Sequence, residues 1–572
     1  MRNKIRGGKG RLALLLLAFT VLFVAGCQSV GGLDLNSMLH NALKVKSVES
    51  NFTIELNLDL NEDALTKQFS EEEAELYRLF SLIKLEVKNA KLENESRLSL
   101  DGRLILGEQS EFDIAFNLNM NGSTVVLYLE GAKQPFTIVL SDIPLFDTSD
   151  YPSEEVQQAA KIANAYTMTK LGFNTVDHFG GYLFNNLPNT KDLKLQTANV
   201  PINGMNTSLM HVQLEMNGSQ LWSWFESYVN ALATDKVGAE KMVIGIVDVM
   251  ASNPEFKELA EEMGLIGPTG VDETTRDEII EEWIDRIYEL TDELQTEITT
   301  LNMEYETGEA NEDYYSRNAL FAKSLMDTQT ESLQLKLDMY VDNKLDVRKQ
   351  QLHLNYKVGA GLEDYLPPIA GFTLTASQER WNINGTVKAD VLASVPNAIS
   401  FEKASLMEGY QAVKLFDEKS DVYHLLKNKF HITRQFYQVY NHQYHNPLII
   451  LPGSIAIVSV RDVANAFGAT TTYDPKTKTV VIYDEATDTT IQLEKGSKTV
   501  MVNGEKQTWP VAVTTVDGST YVAARKLAEA LEASIYWHQI NLRDLSYYDP
   551  SQYDPSMFEP LMSKEVVIYR EL

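Results

Sequence analysis

Residues 112–129 read FDIAFNLNMNGSTVVLYL, and this stretch shows how the first two thirds of the chain fold. Apolar side chains stand at every second position from Phe112 to Met120 and resume that spacing from Val125 to Leu129. Such alternation is typical of strands with one buried face and one wet face. The Asn121-Gly122 dipeptide between the two runs favours a tight turn between antiparallel strands, so the stretch predicts a β-hairpin.

The same alternation recurs on both sides of this hairpin. It is clear at residues 52–60, 333–341 and 352–358, and we expect a further strand over Trp381–Val391. Each of these stretches predicts a strand of an antiparallel sheet, because one face is apolar and the other polar.

Amphipathic patterns with helical spacing lie between the predicted strands. The clearest runs from Glu273 to Leu301, where apolar residues return every three or four positions. Others cover Glu154–Tyr166 and a stretch that begins at Leu221 and runs, with breaks, to about Met263. We therefore predict an α+β body over residues 33–400, a curved antiparallel sheet with a helical cover and a helical insertion near 220–325.

The N-terminal residues have the order of a secretory signal peptide. Five basic residues precede Leu12–Val24, an uncharged apolar run that ends in Val24-Ala25-Gly26-Cys27. A membrane-spanning helix needs about 20 apolar residues, whereas Leu12–Gly26 is only 15 residues long and closes on small residues and a cysteine.

The last four residues of this segment resemble a bacterial lipobox. That resemblance implies cleavage just before Cys27 and attachment of lipid to its sulfur. We therefore expect a signal peptide at 1–26, a lipidated tether at 27–32, and a mature chain held by the Cys27 lipid at the extracytoplasmic face of the cell membrane. Cys27 is the only cysteine of the chain, so the mature protein cannot form an internal disulfide.

The amino-acid composition and the net charge limit the classes of partner that the protein is expected to bind. The chain has 572 residues, 44% of them hydrophobic, which is typical of a globular protein with more than one domain. Its formal net charge is −30, and loss of the basic signal segment makes it more negative. This charge disfavours nucleic acid and bare anionic lipid surfaces as partners.

A duplicated unit lies near the C-terminus. Val458–Ala469 and Val522–Ala533 align at a constant offset of 64 residues. Each copy predicts a short strand, an amphipathic helix and a second strand that begins at an aromatic residue, Tyr473 or Trp537.

Residues from about Leu448 to Ile540 resemble the copper amine oxidase N-terminal domain-like family, which is common in secreted and surface proteins of Gram-positive bacteria. The matching stretches are Val458–Tyr483, Gly496–Gly504 and Tyr521–Trp537. The resemblance implies a small duplicated α+β domain at 447–545. We expect a helical connector at 401–446 before it and a C-terminal tail at 546–572 after it.

The match departs from the family in three places. Ser459 and Ala523 stand where the family often has proline, and Glu532 replaces the glycine found at position 468 of the first copy. The last change predicts that the second helix ends without a left-handed cap.

The histidines and the known catalytic motifs bear on whether the chain has a metal or catalytic site. His442 and His445 have the spacing of two ligands on one helical turn, yet the surrounding segment is typical of a polar linker with aromatic anchors. The catalytic histidines and the quinone-forming tyrosine motif of amine oxidases have no counterpart here, since the chain has no His-x-His pair. Phosphate loops, nucleophile elbows and zinc-protease helices are missing too. We predict no catalytic, cofactor or metal residues.

The sequence thus predicts a non-enzymatic cell-surface lipoprotein of a Gram-positive bacterium. Its C-terminal domain would be an interaction or spacing module in the cell envelope, with a cell-wall polymer or an envelope protein as partner. The alternative is a carrier or sensor of a hydrophobic or wall-derived ligand bound in the α+β body. For this alternative, Leu33–Leu60, a helix that leads into a long alternating strand, is weakly similar to lipoproteins that carry lipids, although fold alone does not assign function.

Overall fold

A computed structural model describes residues 35–143, 165–188, 193–252, 273–307, 324–326, 332–359, 366, 368–390, 395, 397–541 and 562–572. Cys27, the predicted signal peptide and tether, and residues 154–164 of one predicted helix lie outside the described residues. The chain divides into two compact units, Met1–Glu402 and Lys403–Leu572.

The first unit is built on one long sheet. Its strands are β1 (Val48–Leu60), β2 (Leu82–Asn94), β3 (Arg97–Leu106), β4 (Phe112–Asn121), β5 (Thr124–Leu129), β6 (Phe136–Val139), β7 (Lys194–Ile202), β8 (Met205–Asn217), β9 (Leu333–Val341), β10 (Val347–Lys357), β11 (Ile369–Trp381) and β12 (Ile399–Ser400). They lie in the order β12-β6-β5-β4-β3-β2-β1-β11-β10-β9-β8-β7. Neighbouring strands pair antiparallel, apart from the short parallel pair β12 and β6. The predicted α+β class with a curved antiparallel sheet is confirmed.

The hairpin predicted from residues 112–129 is formed by β4 and β5. Asn121 pairs with Thr124, which leaves Gly122 in the two-residue turn with a φ of 63°. A positive φ is a backbone conformation that glycine adopts without the clash a side chain would cause.

Seven helices of the first unit are described. They are α1 (Leu35–Leu43), α2 (Glu62–Gln68), α3 (Glu71–Leu79), α4 (Ala165–Asn185), α5 (Gly218–Thr234), α6 (Lys236–Ser252) and α7 (Glu273–Thr307). Helix α3 begins at a capping box, in which the Ser70 hydroxyl accepts from the Glu73 amide and the Glu73 carboxylate accepts from the Ser70 amide at 2.8 Å. The last three helices form the predicted insertion between β8 and β9.

Helices cover the sheet at one end. Apolar side chains of α1 and α5, among them Met38, Leu221 and Trp224, share a buried cluster with residues of strands β8 to β10. Helices α4, α6 and α7 form a second cluster among themselves, around Val243 and Ile246.

The strand predicted over Trp381–Val391 is wrong. The strand in this region is β11, which ends at Trp381. Asn382 and Asn384 follow it with φ values of 51° and 52°, and the Asn384 amide donates to the carbonyl of Ser47 at 2.7 Å. A strand cannot continue through left-handed residues, so the chain turns here.

The second unit has twelve described strands in three sheets. They are β13 (Arg434–Tyr440), β14 (Ile449–Leu451), β15 (Ile455–Ser459), β16 (Thr470–Asp474), β17 (Thr479–Asp484), β18 (Thr489–Glu494), β19 (Thr499–Val502), β20 (Glu505–Thr508), β21 (Thr514–Val516), β22 (Ser519–Ala523), β23 (Ser534–Asn541) and β24 (Met562–Glu571). The sheets have the orders β13-β24-β23, β14-β15-β22-β21 and β16-β17-β18-β19-β20. The described α-helices are α8 (Phe401–Ser405), which begins two residues before this unit, α9 (Gly409–Ala412), α10 (Asp421–His424), α11 (Val460–Ala466) and α12 (Ala524–Ala530).

The two copies of the repeat pair with each other through β15 and β22. Val458 lies opposite Val522, its own counterpart at the offset of 64, and the neighbouring pairs are symmetric about these two residues. The copies are therefore related by an approximate two-fold axis at this pair. Helices α11 and α12 bury equivalent side chains, Val463 and Phe467 in one copy and Leu527 and Leu531 in the other.

The second copy extends to the end of the chain. We expected a helical connector over 401–446 and a tail over 546–572, yet β24 lies between β13 and β23 as the central strand of a sheet. Val566 and Ile568 of β24 are fully buried in the core of this unit. The tail was expected because the sequence alone does not show which distant strands pair. Without its partners β13 and β23, β24 has only the pattern of an isolated short strand.

The second repeat helix was expected to end without a left-handed cap, and Glu532 shows that this expectation is wrong. It has a φ of 55°, close to the 62° of Gly468 at the equivalent position. The following amides, of Ala469 and Ala533, each donate to the carbonyl five residues earlier, at 2.8 and 2.9 Å. Both helices therefore end in the same left-handed turn, and packing of the second copy imposes it on a residue that has a Cβ.

Candidate functional site: a cationic groove on the second unit

A groove of about 620 Å³ opens on the second unit, and every residue that lines it is described. Its apolar lining comes from β14, β15 and the ends of neighbouring segments. Three of its polar lining residues are cationic, and none is an Asp or Glu. The polar lining residues are Arg525, Lys526, Lys564, His538, Gln539 and Ser454. On a chain with a formal net charge of −30, this is a positively charged surface.

Trp537 forms an aromatic wall of the groove. It lies opposite Val566 in the sheet, on the same face of β23 as Ile535, which packs against the core. Unlike Ile535, the Trp537 side chain extends past the core, and the residue keeps 41% of its surface exposed. The indole is thus held by a rigid strand while one part of the ring remains accessible.

The three cations come from two separate elements. Arg525 and Lys526 stand in the first turn of α12, directly after β22. Lys564 lies on β24 opposite Gln539, and its backbone amide donates to the Asn441 side chain at 2.8 Å. Because Lys564 and Val566 are two positions apart, Lys564 lies on the same sheet face as Trp537.

Lys526 has one acidic neighbour. Its ammonium is 2.6 Å from a carboxylate oxygen of Glu529, and these side chains are 40% and 51% exposed. Exposed pairs of this kind contribute little free energy, about 0.2–1 kcal/mol, so Lys526 can exchange this partner for an anionic ligand.

A second cleft, of about 650 Å³, lies in the first unit near the end of β1. Its lining mixes the carboxylates of Asp59, Glu62, Glu108 and Glu111 with Arg78 and Lys357. Arg78 is already paired with Glu62 at 2.8 Å, and this hydrogen bond lowers the pKa of the Glu62 carboxyl. The cleft therefore has neither a uniform charge nor an unpaired arginine to attract a charged ligand.

The histidines before the repeat do not converge. His442 contacts the Ser563 hydroxyl at 2.7 Å, and His431 contacts Glu571 at 2.9 Å. His445 is exposed beside Tyr444, and His424 lies 3.2 Å from the Asn428 amide. The contacts of His442 and His431 hold β24, whereas His445 lies exposed, so His442 and His445 do not face a common site.

Within the described ranges, no cluster of three or more histidine, cysteine or acidic residues is placed to hold a metal ion. The described helices include none with the length and apolar character needed to cross a membrane.

The groove was not predicted from the sequence, although Trp537 was expected as the aromatic start of the second copy's strand. A further signal was present in the sequence. Residues 480–485 read VVIYDE and residues 566–571 read VVIYRE, which places β24 as the counterpart of β17 and brings Lys564 beside the repeat.

A comparison of the whole chain with curated proteins found no match. Residues 440–542, less than a fifth of the chain, match the family model described as copper amine oxidase N-terminal domain. This domain is non-catalytic, and the match supports the resemblance drawn from the repeat: residues 440–542 are similar to the copper amine oxidase N-terminal domain.

Proposed function

We propose that the protein is a non-enzymatic lipoprotein of a Gram-positive cell surface and that its second unit is an interaction module in the envelope. The observation that carries the proposal is the groove, which has an aromatic wall and a cationic rim on a strongly acidic chain. The signal-like order of residues 1–27 and the family match support the placement and the non-catalytic role.

Lipid attachment is tested with radiolabelled palmitate. We expect label in the wild-type protein and none in Cys27→Ser, because that substitution removes the sulfur that would carry the lipid. Equal label in both proteins, or none in the wild type, would contradict the anchor.

The interaction role is tested by co-sedimentation of residues 28–572 with purified wall sacculi and with solubilised membrane proteins. Retention on either material supports the module. Retention on neither would remove the interaction role and leave only that of a spacer.

A specific observation favours a second candidate, in which the first unit carries a hydrophobic ligand. Ile54 is 42% exposed although β1 is the seventh of twelve strands. Its cross-strand neighbours Leu85 and Ala376 are half-buried. An aliphatic side chain this open in the middle of a sheet leaves apolar surface for a ligand.

Mass spectrometry of residues 28–572 tests this candidate. Co-purifying lipid that is lost in Ile54→Asp, and kept in the control Val237→Asp at an exposed helix position, would support carriage. An empty wild-type protein would oppose it.

A further inference from the structure

We propose that the groove on the second unit binds an anionic glycan, a chain of sugar rings that carry phosphate or carboxylate groups. This inference rests on the proposed interaction role and adds the chemistry of the ligand. It depends on three observations: the charge of the rim, the shape of the aromatic wall, and a difference between the two copies of the repeat.

The cationic rim of the groove, formed by Arg525, Lys526 and Lys564, supplies positive charge for an anionic ligand. Arginine donates two parallel hydrogen bonds to phosphate or carboxylate, and lysine binds either as a point charge. Arg525 and Lys526 on α12 and Lys564 on β24 lie at one groove. The groove they line has a volume of about 620 Å³, so their charges have room to meet more than one anionic group of a polymer.

The aromatic wall formed by Trp537 supplies a surface on which a sugar ring can stack. The accessible part of Trp537 is a flat apolar surface, and the adjoining lining from Ile450, Ala456 and Pro510 is apolar as well. A sugar ring has an apolar face of C–H groups and a polar edge of hydroxyls, so it can stack on an indole while its edge stays in water. A bare inorganic polyanion has no such face.

The first copy shows that the fold does not need Lys526 or Trp537. At the offset of 64, Arg525 corresponds to Arg461, Lys526 to Asp462 and Trp537 to Tyr473. Asp462 accepts a hydrogen bond from Asn446 at 2.8 Å, so the first copy folds with a carboxylate where the second has a lysine. The second copy therefore differs from the first by more positive charge and a larger aromatic ring at this groove.

The double variant Lys526→Asp with Trp537→Tyr gives the second copy the first copy's residues. Residues 28–572 would be titrated with polygalacturonate, an anionic sugar chain, with neutral dextran, and with polyphosphate, followed by calorimetry. We expect binding of polygalacturonate that weakens with added salt, little binding of dextran, and weaker binding of polyphosphate. The double variant should lose roughly tenfold or more in affinity for polygalacturonate.

Two matched controls should leave the affinity unchanged. Lys506→Glu reverses an exposed charge on β20 at a residue that does not line the groove, and Tyr473→Ala removes the exposed aromatic residue of the first copy. A double variant that binds as the wild type does would show that the groove is not the site. Equal affinity for polyphosphate and polygalacturonate would overturn the glycan assignment, and binding of neither would overturn the whole inference.

Failure here is distinguishable from failure of the interaction role. If the wild type and the double variant sediment equally with sacculi or membrane proteins, the interaction role stands and the groove assignment falls. If neither sediments, the interaction role itself falls.

Discussion

Asp484 and Arg570 form a buried ion pair at equivalent positions of the two repeat copies. Their side chains are 1% and 2% exposed, and Arg570 Nη2 donates to Asp484 Oδ1 at 3.0 Å, with a second contact through Nη1. In the hairpins, Tyr473 lies opposite Val480 and Trp537 lies opposite Val566. Asp484 and Arg570 each stand four residues beyond those partners, so the pair joins the two copies.

The remaining donors of Arg570 are also used. Its Nε donates to Gln435 at 2.7 Å, and Nη1 donates to the carbonyl of Leu531 at 2.8 Å. Its guanidinium lies 4.7 Å from the centre of the Phe467 ring. Phe467 and Leu531 end the two repeat helices, so one arginine ties both helix ends to β13 and β17. A buried charge is tolerated when its partners are this complete.

Removal of one partner should destabilise the second unit strongly. We expect Arg570→Ala to lower its free energy of unfolding by about 3–5 kcal/mol, because Asp484 would be left buried and unpaired. Urea denaturation followed by circular dichroism measures this. Lys564→Ala, an exposed change on the same strand, should stay within about 0.5 kcal/mol of wild type. A loss below about 1 kcal/mol for Arg570→Ala would mean that the pair adds little.

Truncation after residue 545 should prevent the second unit from folding. The shortened chain keeps the whole family match, which ends at 542, yet loses β24. Strands β13 and β23 would lose their common partner, and the core would lose Val566 and Ile568. Calorimetry should show the unfolding transition of the second unit lost while that of the first unit persists. A retained transition would show that β24 is dispensable.

Glu532→Gly should stabilise the second unit by about 1 kcal/mol. Glycine adopts the left-handed backbone of this position without the steric cost that a Cβ incurs. Gly468→Ala is the opposite test, since an added Cβ would lie 2.9 Å from the Glu408 side chain at a φ of 62°. We expect that variant to lose a similar amount of free energy in chemical denaturation. No change in either variant would contradict the cost assigned to this turn.

Alkaline pH should destabilise the second unit through Tyr410. Burial, and then the nearby Glu485 carboxylate, raise the pKa of the Tyr410 hydroxyl to about 12. The folded state thus favours neutral tyrosine, so this contribution is complete below pH 10 and is lost as the pH rises from 10 to about 12. Ionisation of Tyr410 should therefore lower the free energy of unfolding by about 3 kcal/mol once the pH is above both the unfolded and the folded pKa.

Tyr410→Phe should reduce this pH dependence and change the stability at pH 7 by less than about 1 kcal/mol, because the hydroxyl makes one long hydrogen bond, 3.3 Å to Glu485. Urea titrations between pH 8 and 11 measure the effect. Identical pH profiles for the variant and the wild type would show that Tyr410 ionises at its ordinary pH in the folded protein.

Local pattern predicted much of the structure. Alternation identified the hairpin of β4 and β5, helical spacing identified α7, and the repeat identified α11 and α12. Each of these features depends on residues within a few turns or one hairpin of each other, so a single stretch of sequence contains the necessary information. The turn after Trp381 was missed because left-handed asparagines interrupt a pattern that continues to alternate.

The sequence by itself determined many of the strands and helices, the duplication, and the acidic character of the chain, since periodicity and composition are local properties. Tertiary structure alone decided that the last strand completes the second copy and that Arg570 meets Asp484 across 86 residues. It also decided the groove, whose lining comes from residues 450, 454–456, 510, 523, 525–526, 537–539 and 564. Segments so far apart acquire a shared surface only through long-range strand pairing, and side-chain periodicity does not encode which strands pair.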